Sequence, residues 1–383
     1  MLDVLIAGAG PAGSIAALVL ARAGMRVVVV DRETFPRDKL CGDTVNPGAL
    51  ALLTSLGLYG GPLDRARPLI GMRLSGPWSD VRALYGDGVV GRSLPRREFD
   101  TWLLEEAIRA GARFESGLVV RAPLVAESAG GRVRGLVLSP RGNPGGVSRM
   151  PAWLVIAADG SRSCLARGLG LMRTPLEPRR WAFGAYATGI DDVSDVGEMH
   201  VRRDAYVGIA PMDDAIANVC VVTGPRPNGR GPVEIMTRAI DAASLSSRFH
   251  KARFLGAPKV LGPLAADVSS PGVEGLLVAG DAAGFVDPMT GDGLCLAMRG
   301  AVLAAEEALR SFETSDFAGA PARLGEARRQ ALGSKLRFNR AVRRISSMPA
   351  AITAASCGAL LMPAVLARAV RYAGDVPPAE RRR

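Results

Sequence analysis

The chain has 383 residues, 48% of them apolar, and a mean hydropathy of +0.17, which is enough for a large core divided into two or three structural units. Its formal charge of +11 comes mostly from arginine and accompanies abundant alanine, glycine and proline, the pattern of GC-rich coding. Aromatics make up only 5%, too few to interleave with basic residues as in nucleic-acid modules, so nucleic acid is not an expected partner. Cys41, Cys164, Cys220, Cys295 and Cys357 show no CxxC spacing, and His200 and His250 are the only imidazoles, so no metal cage is expected. Neither histidine falls in a motif, and each reads as a surface or core-satisfied residue. A first strand beginning at residue 3 leaves no room for a leader, and a reducing, cytosolic location is expected.

Along the chain, Asp3 to Ala7 reads as a buried strand, Gly8-Ala9-Gly10-Pro11-Ala12-Gly13 as a GxGxxG turn, and Ser14 to Ala23 as a helix. A second strand, Val27 to Val30, ends at Asp31, 18 positions beyond Gly13, about where a carboxylate meets a ribose hydroxyl in βαβ dinucleotide sites. The glycines suit a tight turn, close approach to a pyrophosphate and helix–strand packing, while the helix N-terminus offers free N–H groups. Arg37-Asp38-Lys39-Leu40-Cys41-Gly42-Asp43 follows, and then pieces within Gly71 to Leu94 that are expected to join a later sheet. Arg96 opens the helical stretch Arg96-Arg97-Glu98-Phe99-Asp100.

Val155 to Ala158 reads as a buried strand ending in Asp159-Gly160. Trp181 to Val222 is alternating and β-rich, as for a sheet roofing a ligand. Leu276 to Ala279 leads into Gly280-Asp281, Pro288 and Gly291-Asp292-Gly293 before a helix from Leu294 to Arg310. Asp292 reads equally well as a simple helix cap. Ile345 to Ala367 then runs 23 residues without a charge, beyond Arg337, Arg340, Arg343 and Arg344. Two prolines argue against a straight membrane span. A buried helical pair capping the substrate cavity is the leading expectation and a peripheral membrane contact the alternative. Residues 380–383 read as a frayed tail.

The order GxGxxG, DG, GD resembles the para-hydroxybenzoate hydroxylase superfamily of FAD enzymes. The resemblance implies an α/β fold: a Rossmann-like FAD-binding domain (1–70 with 96–172 and 266–310), a β-sheet substrate domain (71–95 with 173–265) and a C-terminal helical cap (311–383). It implies that Gly8, Gly10, Ala12 and Gly13 hold the pyrophosphate, Asp31 with Arg32 the adenosine ribose, and Gly280 and Asp281 the ribityl chain. Arg96 and Asp159 complete the cofactor set, and Pro288, Gly291 and Gly293 lie along the ring. The Lys39-Leu40-Cys41-Gly42 stretch resembles the cysteine-glycine segment of geranylgeranyl reductases, which places Cys41 beside the flavin and near the proton path. Tyr206-Val207-Gly208-Ile209-Ala210-Pro211 stands where that branch carries Tyr-x-Trp-x-Phe-Pro and flavin halogenases carry Trp-x-Trp-x-Ile-Pro. Tyr206 and Pro211 are retained, whereas Gly208 and Ala210 replace aromatics and widen the pocket. Tyr206, Pro211 and Tyr186 are the candidate substrate contacts.

The expected function is an FAD-dependent oxidoreductase reducing a double bond of a hydrophobic small molecule, with NAD(P)H or another donor as reductant. A flavin monooxygenase acting on an aromatic or polyketide-like substrate uses the same cofactor motifs and is the alternative. Halogenation fits less well because the paired tryptophans are missing. A non-enzymatic flavoprotein docking a carrier protein through its basic surface is the third class. Substrate, electron donor and oligomeric state are encoded in no recognisable motif.

Overall fold

The computed structural model describes residues 1–86, 88–126, 131–173, 180–224, 229–264, 266–285 and 287–376; the tail 380–383 lies outside them. Its centre is strand Leu2–Ala7, paired in parallel with Val27–Asp31 on one side and Ser148–Ala157 on the other. Arg113–Ser116 extends the first side and Leu276–Val278 the second. In chain order these five strands run 3-2-1-4-5, so the chain reverses direction across the sheet beside the first strand, where open α/β sheets bind ligands. The strands are near-continuous Val, Ile, Leu and Ala because both faces are covered. Helices Pro11–Arg22, Arg96–Arg109 and Gly293–Thr314 cover one face through Ile15, Leu103 and Ala301. Strands Leu118–Val125 and Val133–Pro140 extend the sheet antiparallel along Ser148–Ala157.

The second sheet has seven strands in the order Arg253–Leu264, Arg180–Thr188, Ile216–Thr223, Ala205–Pro211, Gly197–Val201, Gly71–Ser75, Asp80–Leu84. Alternation along each strand sorts its residues into two faces. Phe183, Val207, Val219 and Val221 meet Ile235, Met236 and Ile240 of helix Pro232–Ala242. Ala182, Tyr206 and Val222 face the first layer, toward Leu40, Phe285 and Met289. Gly71–Ser75 and Asp80–Leu84 join this sheet as expected, but Gly91–Ser93 does not: it pairs instead with Thr44–Val45 and Arg67–Leu69. Three residues carry too short an alternation to reveal their partner.

The C-terminal helices differ from expectation. Ala320–Ile345 lies across Gly293–Thr314, burying Leu324 and Leu332. Pro363–Ala373 leans on strand Asp80–Leu84, where Val370 meets Ala83 and Tyr85. Between them, Pro349–Leu361 leaves much of its surface open. Leu361 is 82% exposed, with Met362, Val365, Met348 and Ile345 also exposed, so the pair is not a buried cap. Among the described residues no helix is long and apolar enough to cross a membrane.

Candidate active site

One cavity of about 1570 Å³, counting its open mouth, lies between the two sheets. Three loops at the carboxyl ends of the parallel strands form its floor: Gly10, Pro11 and Ala12 from the first, Ala158, Gly160 and Ser161 from the second, Asp281 and Pro288 from the third. The second sheet forms its roof with Ala182, Tyr206, Gly208, Asn218 and Val222.

The first turn is tight for a stated reason. Gly8 has φ +98°, and a Cβ there would stand 2.4 Å from the Ala158 carbonyl oxygen. At Gly13 a Cβ would lie 1.8 Å from the Gly8 carbonyl oxygen, so the helix start folds directly onto the turn. Gly10 has no capping side chain, and Pro11 occupies the first helical position, which leaves this helix N-terminus to the cavity. Asp31 accepts hydrogen bonds from the backbone N–H of Ala9 (2.8 Å) and Glu33 (2.9 Å), fixing the loop against the second strand. Arg32 is exposed beside Glu33. Asp159 accepts from Cys164 N–H at 2.9 Å, and its other oxygen is buried without a partner; burial raises its pKa against these bonds.

Arg96 opens its helix at 5% exposure and lines the cavity. Its guanidinium donates to both Asp100 oxygens at 2.6 and 2.7 Å, and Arg37 adds a contact to the same carboxylate at 2.9 Å. Burial opposes the Arg96 charge, but Asp100 and the adjoining Cys41 thiol outweigh it and hold the guanidinium well above its usual pKa. Arg37 stands with one nitrogen 3.4 Å from the position a Gly10 Cβ would take, and its Nη1 is buried without a partner. Lys39 lines the cavity and is solvent-exposed there, although the protein packed around it disfavours the charge and lowers its ammonium's pKa. Arg96 and Arg37 add to that lowering, and Asp281 and Asp100 oppose it.

These features fit a bound dinucleotide diphosphate. Two glycines close the turn, a helix N-terminus is left free, and a cation with an unpartnered nitrogen stands beside Gly10. The match to family models decides the matter: residues 1–309 fit the FAD binding domain. The chain belongs to this FAD-binding family. Its cofactor is FAD, and the protein is an FAD-dependent oxidoreductase. It is 32% identical over 327 residues to a menaquinone reductase of Mycobacterium tuberculosis, covering 79% of this chain and 76% of that protein. It is 30% identical over 327 residues to a digeranylgeranylglycerophospholipid reductase of Methanothrix thermoacetophila, covering 82% and 79%. Among solved structures, a geranylgeranyl bacteriochlorophyll reductase-like protein of Thermoplasma acidophilum superposes at a TM-score of 0.77 with 21% identity, covering 91% of this chain and 88% of that one. A flavin-dependent brominase superposes at 0.83 with 18% identity, covering 99% and 95%, a likeness of fold alone. The superfamily and the reductase-like branch read from the motifs agree with these findings.

Within this family site, Gly10, Ala12, Cys41, Arg96, Tyr206, Asp281, Pro288, Gly291 and Gly293 all line the cavity. Gly280 lines a smaller adjoining space of about 500 Å³ that Arg328, Leu332 and Asn339 of the long C-terminal helix close from outside. Pro211 ends its strand, buried but off the cavity wall. Tyr186 is also off the wall; its hydroxyl donates to Asp43 at 2.5 Å. Tyr206 donates to Asp287 at 2.6 Å, and Arg180 binds the other Asp287 oxygen at 2.8 Å while donating to Ser346 Oγ at 3.0 Å. The third loop is thereby tied to the sheet and to the end of helix Ala320–Ile345.

Asp292 is not a side-chain cap, in contrast to the simple reading. Its carboxylate is buried and accepts from Thr290 at 2.6 Å and from Asn339 Nδ2 at 2.9 Å, with Lys335 3.6 Å away. Burial raises its pKa, and these partners oppose that rise. It anchors the C-terminal helix to the third loop and leaves the N-terminus at Gly293 open to the cavity.

A Cβ at Gly208 would meet nothing nearer than Met199 Cε at 3.7 Å, an ordinary van der Waals contact, so a methyl fits there. His200 is buried, with Nε2 2.7 Å from Glu198, and Arg248 contacts the same carboxylate; His250 is on the surface. Burial works against the Glu198 charge, but Arg248 and His200 lower its pKa to about 2. Among the described residues no His, Cys, Asp and Glu cluster suits a metal. Lys39, Arg37, Asp43 and Asn218 are the site residues that motif reading did not assign. The first three lay inside a stretch already singled out, and Asn218, a polar residue within an apolar strand, was its own signal.

Proposed function

We propose that this enzyme reduces a carbon–carbon double bond of a long lipophilic molecule, an isoprenoid chain or a prenylated quinone, using electrons from NAD(P)H. The observation that supports it is the apolar half of the cavity. Met72, Ala182, Met199, Val222, Leu261 and Phe285 line it. The names of the relatives, reductases of menaquinone and of a digeranylgeranyl lipid, point the same way.

In this reading Gly8, Gly10, Ala12 and Gly13, with the free N-terminus of helix Pro11–Arg22 and Arg37, hold the diphosphate. Asp31 and Arg32 face the adenosine ribose, Gly280 and Asp281 the ribityl hydroxyls, and Asp159 supports the second loop. Lys39 and Arg96 set positive charge beside the ring, and the backbone of Pro288, Gly291 and Gly293 passes along it, the helix N-terminus adding to that field. When bound, FAD supplies the hydride-transfer chemistry. Tyr206 positions the substrate chain, Gly208 and Ala210 leave it room, and Cys41 stands at the wall where a proton is delivered.

The test is anaerobic turnover of the FAD-loaded protein with NADH or NADPH and a panel of polyprenyl lipids and menaquinones. The expected result is a product two hydrogens heavier, formed without O2. Incorporation of labelled oxygen under air, with no anaerobic product, would establish a monooxygenase instead.

We further read the outward apolar face as the surface that meets the membrane supplying this substrate. Ile345, Met348, Leu361, Met362 and Val365 are exposed, and Arg337, Arg344, Arg368 and Arg371 are exposed on the adjoining helices. Burying one such leucine is worth about 1.5–3 kcal/mol, so Leu361→Asp should weaken binding to anionic vesicles by about tenfold or more. Vesicle co-sedimentation checks this, and turnover of a detergent-dispersed substrate should stay unchanged.

A further inference from the structure

Asp43 is a buried carboxyl residue, 1% exposed, set between Gly42 and Thr44, both of which line the cavity, as does Cys41. Its backbone is fixed at φ +54°. Its carbonyl accepts from Leu94 N–H at 3.0 Å and from Ser93 Oγ at 3.3 Å, which holds the backbone in place. Oδ2 accepts two hydrogen bonds, from Tyr186 Oη at 2.5 Å and from Asn218 Nδ2 at 2.7 Å. Oδ1 is buried and makes no close hydrogen bond, although the Arg96 backbone N–H at the start of its helix also favours the carboxylate. Asn218 also donates to the Cys41 carbonyl at 2.9 Å, and the Cys220 thiol donates to the same carbonyl at 3.2 Å. The ionisable groups facing Asp43 are therefore Tyr186 and Cys220 from the roof, Cys41 from its own segment, and Arg96 from the helix beneath.

We propose that Asp43 is the proton-positioning residue of the reduction, storing one proton on its carboxyl directly behind the cavity wall of Cys41, Gly42 and Thr44. This rests on the double-bond reduction proposed above. Saturating the double bond takes one hydride, that is two electrons with one proton, which bound reduced FAD would supply, and one further proton from the Cys41 side of the wall. Asp43 replaces that proton and is left as carboxylate, and solvent restores it through the half-buried Tyr186 hydroxyl. Burial pushes the carboxyl up to about 6, although Tyr186, Asn218 and Arg96 favour its ionised form. An acid in that range gives and regains protons near neutrality. Burial and the charge of Asp43 push the Tyr186 phenol far up, so Tyr186 relays protons as a hydroxyl and does not ionise.

Two substitutions test the assignment. Asp43→Asn keeps the shape and tolerates the left-handed backbone; Tyr186→Phe removes one bond that favours the carboxylate. Infrared difference spectra of the FAD-loaded protein without substrate, wild type against Asp43→Asn, should show a carboxyl titrating near pH 6. In Tyr186→Phe it should titrate higher. Single-turnover substrate reduction by pre-reduced enzyme should fall as pH rises through the same inflection, because the acid form is the donor. Asp43→Asn should be slower by roughly a hundredfold and show no such inflection, while NAD(P)H reduction of the flavin stays within about twofold. A carboxyl titrating near pH 4, or an Asp43→Asn enzyme with the wild-type pH profile, overturns this inference alone. A carboxyl titrating near pH 6 in an enzyme that reduces no double bond overturns the proposed reaction and the proton role with it.

Discussion

Replacing Gly13 by alanine should leave a protein that no longer holds FAD. The added methyl would sit 1.8 Å from the Gly8 carbonyl oxygen and 3.0 Å from its carbon, and both are backbone atoms with no rotamer to adopt. Relief requires helix Pro11–Arg22 to back away from strand Leu2–Ala7, against Ile15 and Leu18, which are fully packed in the core. Overpacking of this kind costs about 1–3 kcal/mol even where side chains can yield. The displaced helix also carries the free N–H groups beside Gly10, so the loss falls on the cofactor twice. The expected drop in FAD affinity is at least about a hundredfold, or ~2.8 kcal/mol, measured by flavin fluorescence quenching on the apoprotein. Gly24→Ala is the control for adding a methyl to the same unit, since no atom lies within 4 Å of a Cβ there, although its φ of +80° carries some strain of its own.

Asp100→Ala should be the most destabilising single truncation near the site. Asp100 is fully buried and is the shared counter-charge of Arg96, itself 5% exposed, and of Arg37. Removing it leaves two guanidiniums in a place that cannot hydrate them, and breaking a buried pair this way costs about 3–5 kcal/mol. The unfolding midpoint in urea reports it. Asp80→Ala, which breaks a pair with Arg73 of similar geometry but about half-exposed, should cost only about 0–1 kcal/mol. Equal losses at the two positions would mean that burial of the Asp100 cluster contributes nothing. Arg96 was legible as a motif position, and its bidentate bond to Asp100 one helical turn on shows that it also acts as a salt-bridged helix start.

The parts of this molecule that could be read from sequence are those whose cause is local. A four- or five-residue apolar run, a glycine turn and a helix start each state their conformation within a dozen residues, and the order of three such units suffices for the sheet and the cofactor. Asp43 shows the opposite case: its partners Tyr186 and Asn218 lie 143 and 175 residues away, and nothing around position 43 marks it as an acid with a raised pKa. Arg37 and Lys39 were hidden likewise, since their meaning comes from Asp100, Gly10 and Asp281. Tyr186 was correctly placed on the roof sheet, but its hydroxyl reaches Asp43 rather than the cavity wall. The C-terminal run was misjudged as a buried cap because uncharged alanine-rich text looks the same whether protein or lipid covers it; Leu361 at 82% exposure shows which faces are left bare.

The space at Gly208 separates two things that usually travel together in an enzyme interior. Gly8 and Gly13 are demanded by neighbouring backbone, so their identity is a condition of folding, whereas a Cβ at Gly208 would find only ordinary van der Waals distances of 3.7 and 3.8 Å. A methyl there costs the scaffold little, and on the proposed reading of the cavity it would be felt by the substrate. A lineage can therefore retune the girth of molecule it admits by rewriting a single codon, with the yellow prosthetic group and its cradle inherited untouched.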